Sequence, residues 1–143
     1  MLSYTCKIAV KAVIYLASKF ETGERSGIIE ISAYLNASEH TIGKMLQTLV
    51  KQDIIKSMKG PSGGFYIIRS QLKQPIMSIV QAIDGKDVFK TCALGLHKCS
   101  SSHPCPVHKE YKAGRDIMEN LFKNRRIMDL CGAVNNGSAF LYA

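Results

Sequence analysis

Apolar positions along the first fifty residues fall into three separate helical periods, each closed by a polar or glycine stop. Ile8, Val13, Leu16 and Phe20 share one face between Tyr4 and Phe20, and Gly23 ends the run. Ile28, Ile31, Tyr34 and Leu35 repeat the pattern over about two turns up to Asn36. Ser38 then stands where an N-cap belongs, and Ile42, Met45, Leu46, Leu49 and Val50 follow at i, i+3, i+4, i+7 and i+8. Two short β-prone runs come next, Ile54 to Met58 and Phe65 to Ile68, joined by Lys59-Gly60-Pro61-Ser62-Gly63-Gly64. Proline fixes one φ and the glycines admit positive φ, so these runs predict a hairpin.

Past the hairpin the helical period returns. Ile76, Ile79, Val80 and Ile83 predict a short helix ended by Gly85. After an irregular stretch, Val107, Tyr111, Gly114, Ile117, Met118, Leu121 and Phe122 form one apolar stripe along a helix of about five turns to Asn124. Arg126 to Cys131 predicts one more short helix, and a Gly/Asn/Ser/Ala tail follows with Phe140, Leu141 and Tyr142 near its end; a frayed terminus is expected there. The fold class is therefore mainly α with a small β-hairpin wing: a winged helix-turn-helix over residues 1–85, an irregular loop over 86–108, a long helix and a short one over 109–131, and a tail over 132–143. A helix that long after a complete core suggests a dimerisation element.

Charge narrows the partners. Nineteen Lys and Arg against eleven Asp and Glu give a formal net charge of +8, which favours a polyanion. Between Ala37 and Lys73 six basic residues face two acidic ones, so half of the excess falls in the helix-turn-helix and hairpin. The polar side of the third helix carries His40, Thr41, Gly43, Lys44, Gln47 and Lys51. Its early members, with Ser38, are those a recognition helix presents to double-stranded DNA. The tip from Lys59 through Gly64 is narrow and cationic enough for a minor groove, with Lys59 as a backbone contact.

Other classes fit poorly. The apolar stretch Ile8 to Leu16 is interrupted by Lys11 and flanked by Lys7 and Lys19, too short and charged to span a bilayer. Without a signal-peptide cleavage pattern the chain reads as cytoplasmic. No strongly basic face with large aromatics and no lipidation signal points to a membrane surface. No nucleophile elbow, phosphate loop, paired carboxylates or zinc-protease helix points to an enzyme.

The irregular stretch carries the candidate chemistry. Cys92, Cys99, Cys105 and His108 are separated by gaps of six, five and two residues, so one flexible loop can converge on a single centre. Thiolates and imidazole suit soft or borderline metals, and a reducing compartment keeps thiols free for that purpose. The same set would also hold tetrahedral zinc as a structural staple, or act without metal as a thiol switch. His97 and His103 share the loop but read as solvent-exposed, and Cys131 as a small buried apolar residue.

The order of elements, together with Lys59-Gly60-Pro61-Ser62-Gly63-Gly64-Phe65, Val80-Gln81-Ala82-Ile83-Asp84-Gly85 and the run from Cys92-Ala93-Leu94-Gly95-Leu96 to Pro104-Cys105-Pro106-Val107-His108, resembles the Rrf-two family of bacterial winged-helix regulators. The resemblance covers nearly the whole chain. It implies a homodimer that crosses its long helices on a palindromic operator, with an iron–sulfur cluster in each cysteine loop altering DNA affinity. Three cysteines and a histidine bind [2Fe–2S] in IscR-like members, which favours that cluster here, on Cys92, Cys99, Cys105 and His108, over the [4Fe–4S] of NsrR-like members. Cys92 and Cys99 stand one residue further apart than in IscR-like members. Where NsrR-like members can supply an aspartate from the partner's first helix this chain has Lys7, and the adjacent Cys6 is the candidate thiolate across the dimer. Gly43 replaces a recognition-helix glutamate, so operator preference does not transfer.

Overall fold

The computed structural model describes residues 1–142; of the expected tail, Ala143 lies outside the described residues. Its elements run α1 (Tyr4–Ser18), α2 (Ile28–Leu35), α3 (Glu39–Lys51), β1 (Lys56–Met58), β2 (Gly64–Tyr66), α4 (Arg69–Leu72), α5 (Ile76–Asp84), α6 (His108–Asn124) and α7 (Ile127–Asn135). The fold class read from the sequence holds: a mainly helical chain with one two-stranded antiparallel hairpin.

Each helix of the reader begins and ends where local chemistry requires. The Ser3 hydroxyl caps α1 by accepting from the Cys6 amide at 3.0 Å, and Asp84 at the end of α5 accepts from the Ser3 amide at 2.8 Å. Asn36 closes α2 in the left-handed region at φ 50°, the turn that lets α3 start three residues later, at Glu39. The Ser38 hydroxyl accepts from the Thr41 amide at 3.2 Å, satisfying a first-turn N–H that α3 leaves unpaired. Gly43 faces α2, where a Cβ would make an ordinary 3.5 Å contact with Ile28 Cδ1.

The core lies between α1, α3, α5 and α7. Ile42, Met45, Leu46 and Leu49 of α3 are buried against α1 residues such as Ala9, Val13 and Leu16. Each such side chain contributes up to about 1.5–3 kcal/mol.

The structure shifts several expected boundaries. Helix α1 stops at Ser18 rather than Phe20, with Lys19 as its C-cap. The strands are shorter than Ile54–Met58 and Phe65–Ile68, because Ile54, Ile55 and Ile67 leave the hairpin to enter the core. A one-turn helix, α4, follows the hairpin without any apolar period to announce it; the Gln71 side chain starts it by accepting from the Ile68 amide at 3.1 Å. Helix α7 continues past Cys131 to Asn135, so the segment assigned to the tail begins inside a helix. Residues Ile127 and Cys131 join the core, and α7 packs along α1. The tail through Tyr142 docks rather than frays: Leu141 packs against the core and Tyr142 meets the Tyr34 ring edge-on at 5.8 Å.

The long helix has two apolar faces, not one. Met118 and Phe122 lean on a small cluster of Cys6, Met77, Val80 and Phe89 under α5. Ile117 and Leu121, one step round the helix, are exposed beside Gly114. The stripe read as continuous thus splits into a side that closes this chain and a side that stays open.

Candidate nucleic-acid interface and cysteine loop

Two regions hold the residues singled out from the sequence. On α3, His40, Lys44 and Gln47 are exposed along the outer face. Ser38 and Thr41 also sit at the start of that face, but their hydroxyls are engaged with each other at 2.8 Å as part of the cap. A pocket beside them is lined by Thr5, His40, Thr41, Lys44 and Thr48.

The hairpin pairs Lys56 with Tyr66, Ser57 with Phe65 and Met58 with Gly64. Its tip closes through a turn in which the Gly63 amide donates to the Gly60 carbonyl at 3.0 Å, with Pro61 and Ser62 between them. Lys59, Gly60, Pro61 and Ser62 are exposed, and Gly63 and Gly64 are half-buried.

Sequence reasoning missed a third rail of this wing. Ser26, in the linker between α1 and α2, exchanges both backbone hydrogen bonds with Phe65, at 3.0 and 2.8 Å. Gly64 permits that approach at φ 133°, where a Cβ would lie 3.0 Å from the Ser26 carbonyl oxygen. The buried Ser26 hydroxyl is tied to Lys19 at 3.1 Å and to Glu30 at 3.2 Å, and Tyr15 donates to the same Glu30 oxygen at 2.6 Å. Burial alone would raise the Glu30 carboxyl, but hydrogen bonds from Lys19 and Tyr15 outweigh it and hold the group below its usual range. A strand of one residue pair leaves no periodic signal in sequence.

The cysteine loop between α5 and α6 is built from turns. It brings the four predicted ligands together in two pairs. Cys99 Sγ lies 3.4 Å from His108 Nδ1, while His108 Nε2 faces the Ser101 hydroxyl at 3.3 Å. Cys105 lies near Cys92. Amide N–H groups of Leu94 and Leu96 donate to the Cys92 sulfur, and with smaller contributions from Cys105 and the Gly95 amide they outweigh burial and hold this thiol below its ordinary pKa. Hydrogen bonds to sulfur favour the charged form. Among the described residues, no three His, Cys, Asp or Glu side chains converge closely enough to hold one ion. The donor types, one thiol already biased toward thiolate and an imidazole beside another, fit a soft or borderline metal.

Cys6 is not placed to help. It is fully buried beneath α5, and burial, with Asp84 nearby, pushes its thiol up to about 12. His97 and His103 are exposed, as the sequence suggested. Beside the loop lies a cavity of about 840 Å³ lined by Phe89, Cys92, Cys99 and, from α6, Arg115. Arg115 went unremarked in sequence because an arginine on a long basic helix looks solvated.

Known proteins give the same picture. Over 130 residues the chain is 28% identical to an HTH-type transcriptional regulator of Aquifex aeolicus, covering 90% of this chain and 89% of that one. It is 27% identical over 128 residues to an HTH-type transcriptional regulator of Neisseria meningitidis, covering 90% and 79%. Among solved structures, the fold matches CymR, the global cysteine regulator of B. subtilis, at a TM-score of 0.74 with 17% identity over 92% of this chain and 96% of that one. It matches T. potens IscR at 0.71 with 15% identity over 98% and 92%. The sequence profile described as "Rrf2: Iron-dependent Transcriptional regulator" matches residues 2–133. With its helix-turn-helix, wing and long α6 in that order, the chain belongs to the Rrf2 family and is a transcriptional regulator, not an enzyme.

Proposed function

We propose that this regulator binds a palindromic DNA operator as a homodimer and that an iron–sulfur cluster held by Cys92, Cys99, Cys105 and His108 sets its affinity, with [2Fe–2S] favoured over [4Fe–4S]. The observation that carries the reading is the Cys99–His108 contact of 3.4 Å at the first residue of α6. When bound, such a cluster supplies a group that responds to oxidants, nitric oxide or iron supply.

The chain's own residues do the rest. The amides of Leu94 and Leu96 bias Cys92 toward the thiolate form that a metal takes. His108, as the first residue of a 17-residue helix, moves only with that helix. Helix α6 packs on α5, and α5 on α3, so a shift at His108 reaches the DNA-reading face through two packed contacts. On that face, His40, Thr41, Lys44 and Gln47 read base edges, Ser38 fixes the start of α3, and the tip from Lys59 through Gly64 enters the minor groove. Lys59 binds backbone.

A second reading has its own support. Cys92 and Cys105 lie near each other in the loop, and a peroxide could oxidise that pair to a disulfide, two thiols and one hydrogen peroxide giving one disulfide and two waters. The protein would then be a metal-free thiol switch. Structural zinc on the same four residues is the remaining alternative.

Anaerobic purification, with a visible spectrum and parallel iron, sulfide and zinc analysis, separates these readings when repeated on Cys99→Ala. Broad visible bands with matched iron and sulfide, lost in the variant, support the cluster, and DNA affinity should then differ between loaded and stripped protein. One zinc per chain without colour makes the loop structural. A protein that resists reconstitution but forms a Cys92–Cys105 disulfide under peroxide is a thiol switch.

A further inference from the structure

The wing read from sequence has one cation at its tip, Lys59; the structure brings a second from elsewhere in the chain. Arg25 precedes Ser26, the residue that forms the third rail of the wing. Two backbone bonds from Ser26 to Phe65, and the Ser26 hydroxyl tied into the Lys19–Glu30 pair, fix the Arg25 backbone at the hairpin's edge. Its side chain runs toward the tip. Nη1 donates to the Ser62 carbonyl at 3.3 Å, and the guanidinium lies over the Tyr66 ring at 5.2 Å from its centre.

Charge around it is uncommitted. Lys56 is paired with Asp53 at 2.7 Å, and Glu24, the acidic neighbour of Arg25, is within 3.6 Å of Lys19. Among the described residues no carboxylate lies within ion-pair distance of Arg25 or Lys59. One guanidinium edge is used to hold the side chain against the tip, which leaves the other N–H groups for an incoming acceptor. Stacking over Tyr66 and the Ser62 bond restrict the rotamers beforehand, so less freedom is lost when that acceptor arrives.

We propose that Arg25 is a DNA contact of the wing, binding a phosphate on the wall of the groove that the Gly60–Gly63 tip enters. The acceptor is a phosphodiester oxygen because the guanidinium is exposed and held beside the tip rather than presented by α3 to base edges, and because a planar fork suits bidentate phosphate. The proposal stands apart from the cysteine loop and from any cluster.

The test measures binding of metal-free protein to a mixed-sequence duplex at several salt concentrations, starting low enough that non-specific binding is strong. Arg25→Met should weaken binding about five- to tenfold at low salt. It should also reduce the slope of log K against log salt by about 0.9 per chain. Arg25→Lys should restore the slope. Arg25→Gln, planar and polar but uncharged and too short to reach Ser62, should lose the same slope as Arg25→Met. An unchanged slope in the Met and Gln variants overturns the proposal and leaves Arg25 as a brace for the wing. A loss confined to particular base pairs in a randomised pool overturns it in favour of base reading.

Discussion

Arg115 Nη1 donates to the carbonyl of Thr91 at 2.9 Å, tying the middle of α6 to the residue before Cys92. Arg115 is 7% exposed, and among the described residues it is the buried side chain that carries a charge. Its Nε has no partner; Asp116 and Glu119, which line the same cavity, are paired with Lys112 and Lys123. The ring of Tyr111 at 5.9 Å offers a weak cation–π contact. A buried cation with one neutral acceptor is an energetic debt unless an anionic centre stands nearby.

Arg115→Met therefore tests what the loop holds. In metal-free protein the variant loses one bond to a carbonyl that solvent can reach, and it loses the desolvation cost of an unpaired charge. The second effect is the larger, so stability should be unchanged or raised by about 1 kcal/mol. With an anionic metal–thiolate centre in the loop the sign should reverse, because the guanidinium then has a counter-charge. Thermal melts of both states decide it; a clear loss in the metal-free state would show that Arg115 is held by more than Thr91.

How far the chain could be read before its structure follows from the kind of signal each element leaves. Helices α1, α3 and α5 carry long apolar periods and were placed within two residues, because burial of one face both writes the pattern and makes the helix. Helix α4 is held by Gln71, whose buried amide also donates to the Asp53 carbonyl at 3.2 Å, and one side chain has no period. Ile54, Ile55 and Ile67 looked like strand residues because β-propensity and core burial favour the same side chains. The ligand types of the cysteine loop were legible from composition; their pairing, Cys99 with His108 and Cys92 with Cys105, was not, since loop turns decide it. Arg25 and Ser26 drew no notice because their partners lie about forty residues downstream.

Gly63→Ala should disable the wing while leaving the helical core intact. A Cβ at Gly63 would lie 2.1 Å from the Met58 carbonyl oxygen and 2.9 Å from the Lys59 carbonyl carbon, and both obstacles are backbone. No rotamer change relieves such a clash, so the hairpin must open at its tip, at a cost of about 1–3 kcal/mol. DNA affinity should fall for all sequences alike, and amide exchange should accelerate across residues 56–66 with helical circular dichroism unchanged. Parent-like affinity would remove the wing from the interface.

The Lys19–Glu30 pair gives the fold a defined pH response. Burial works against both charges, yet their mutual hydrogen bond, with Tyr15, lifts Lys19 above its usual range and holds Glu30 below. A depressed carboxyl stabilises the fold above its unfolded pKa, and the contribution fades as pH falls through the folded value. Glu30→Gln should thus cost about 0.5–1 kcal/mol at pH 7, discounted for the exposure of the pair. The gap between parent and variant should stay constant down to about pH 5 and close below about pH 4. The raised lysine adds nothing to this window, since its share is lost only at strongly alkaline pH. Urea midpoints at neutral, mildly acidic and strongly acidic pH measure the gap; one that persists at strongly acidic pH would assign the effect to packing.

The open face of α6 makes the sharpest claim about assembly. Ile117 is 71% exposed, with Leu121 one turn on and Gly114 one turn back, on the face of α6 next to the one that carries Met118 and Phe122. Two helices brought together on that side would bury Ile117 and Leu121 from each chain, and Gly114 would let the backbones approach. A glutamate at 117 would desolvate two charges, one from each chain, on a small crossing only if the crossing exists; on a solvated face it costs little. Ile117→Glu should therefore give a folded monomer in sedimentation, with a melting temperature that no longer rises with protein concentration. Palindrome binding should drop far more than binding to a single half-site, because the second half-site contact is no longer intramolecular. A variant that sediments as the parent does would place the dimer contact elsewhere and leave the open face of α6 without a partner in this chain.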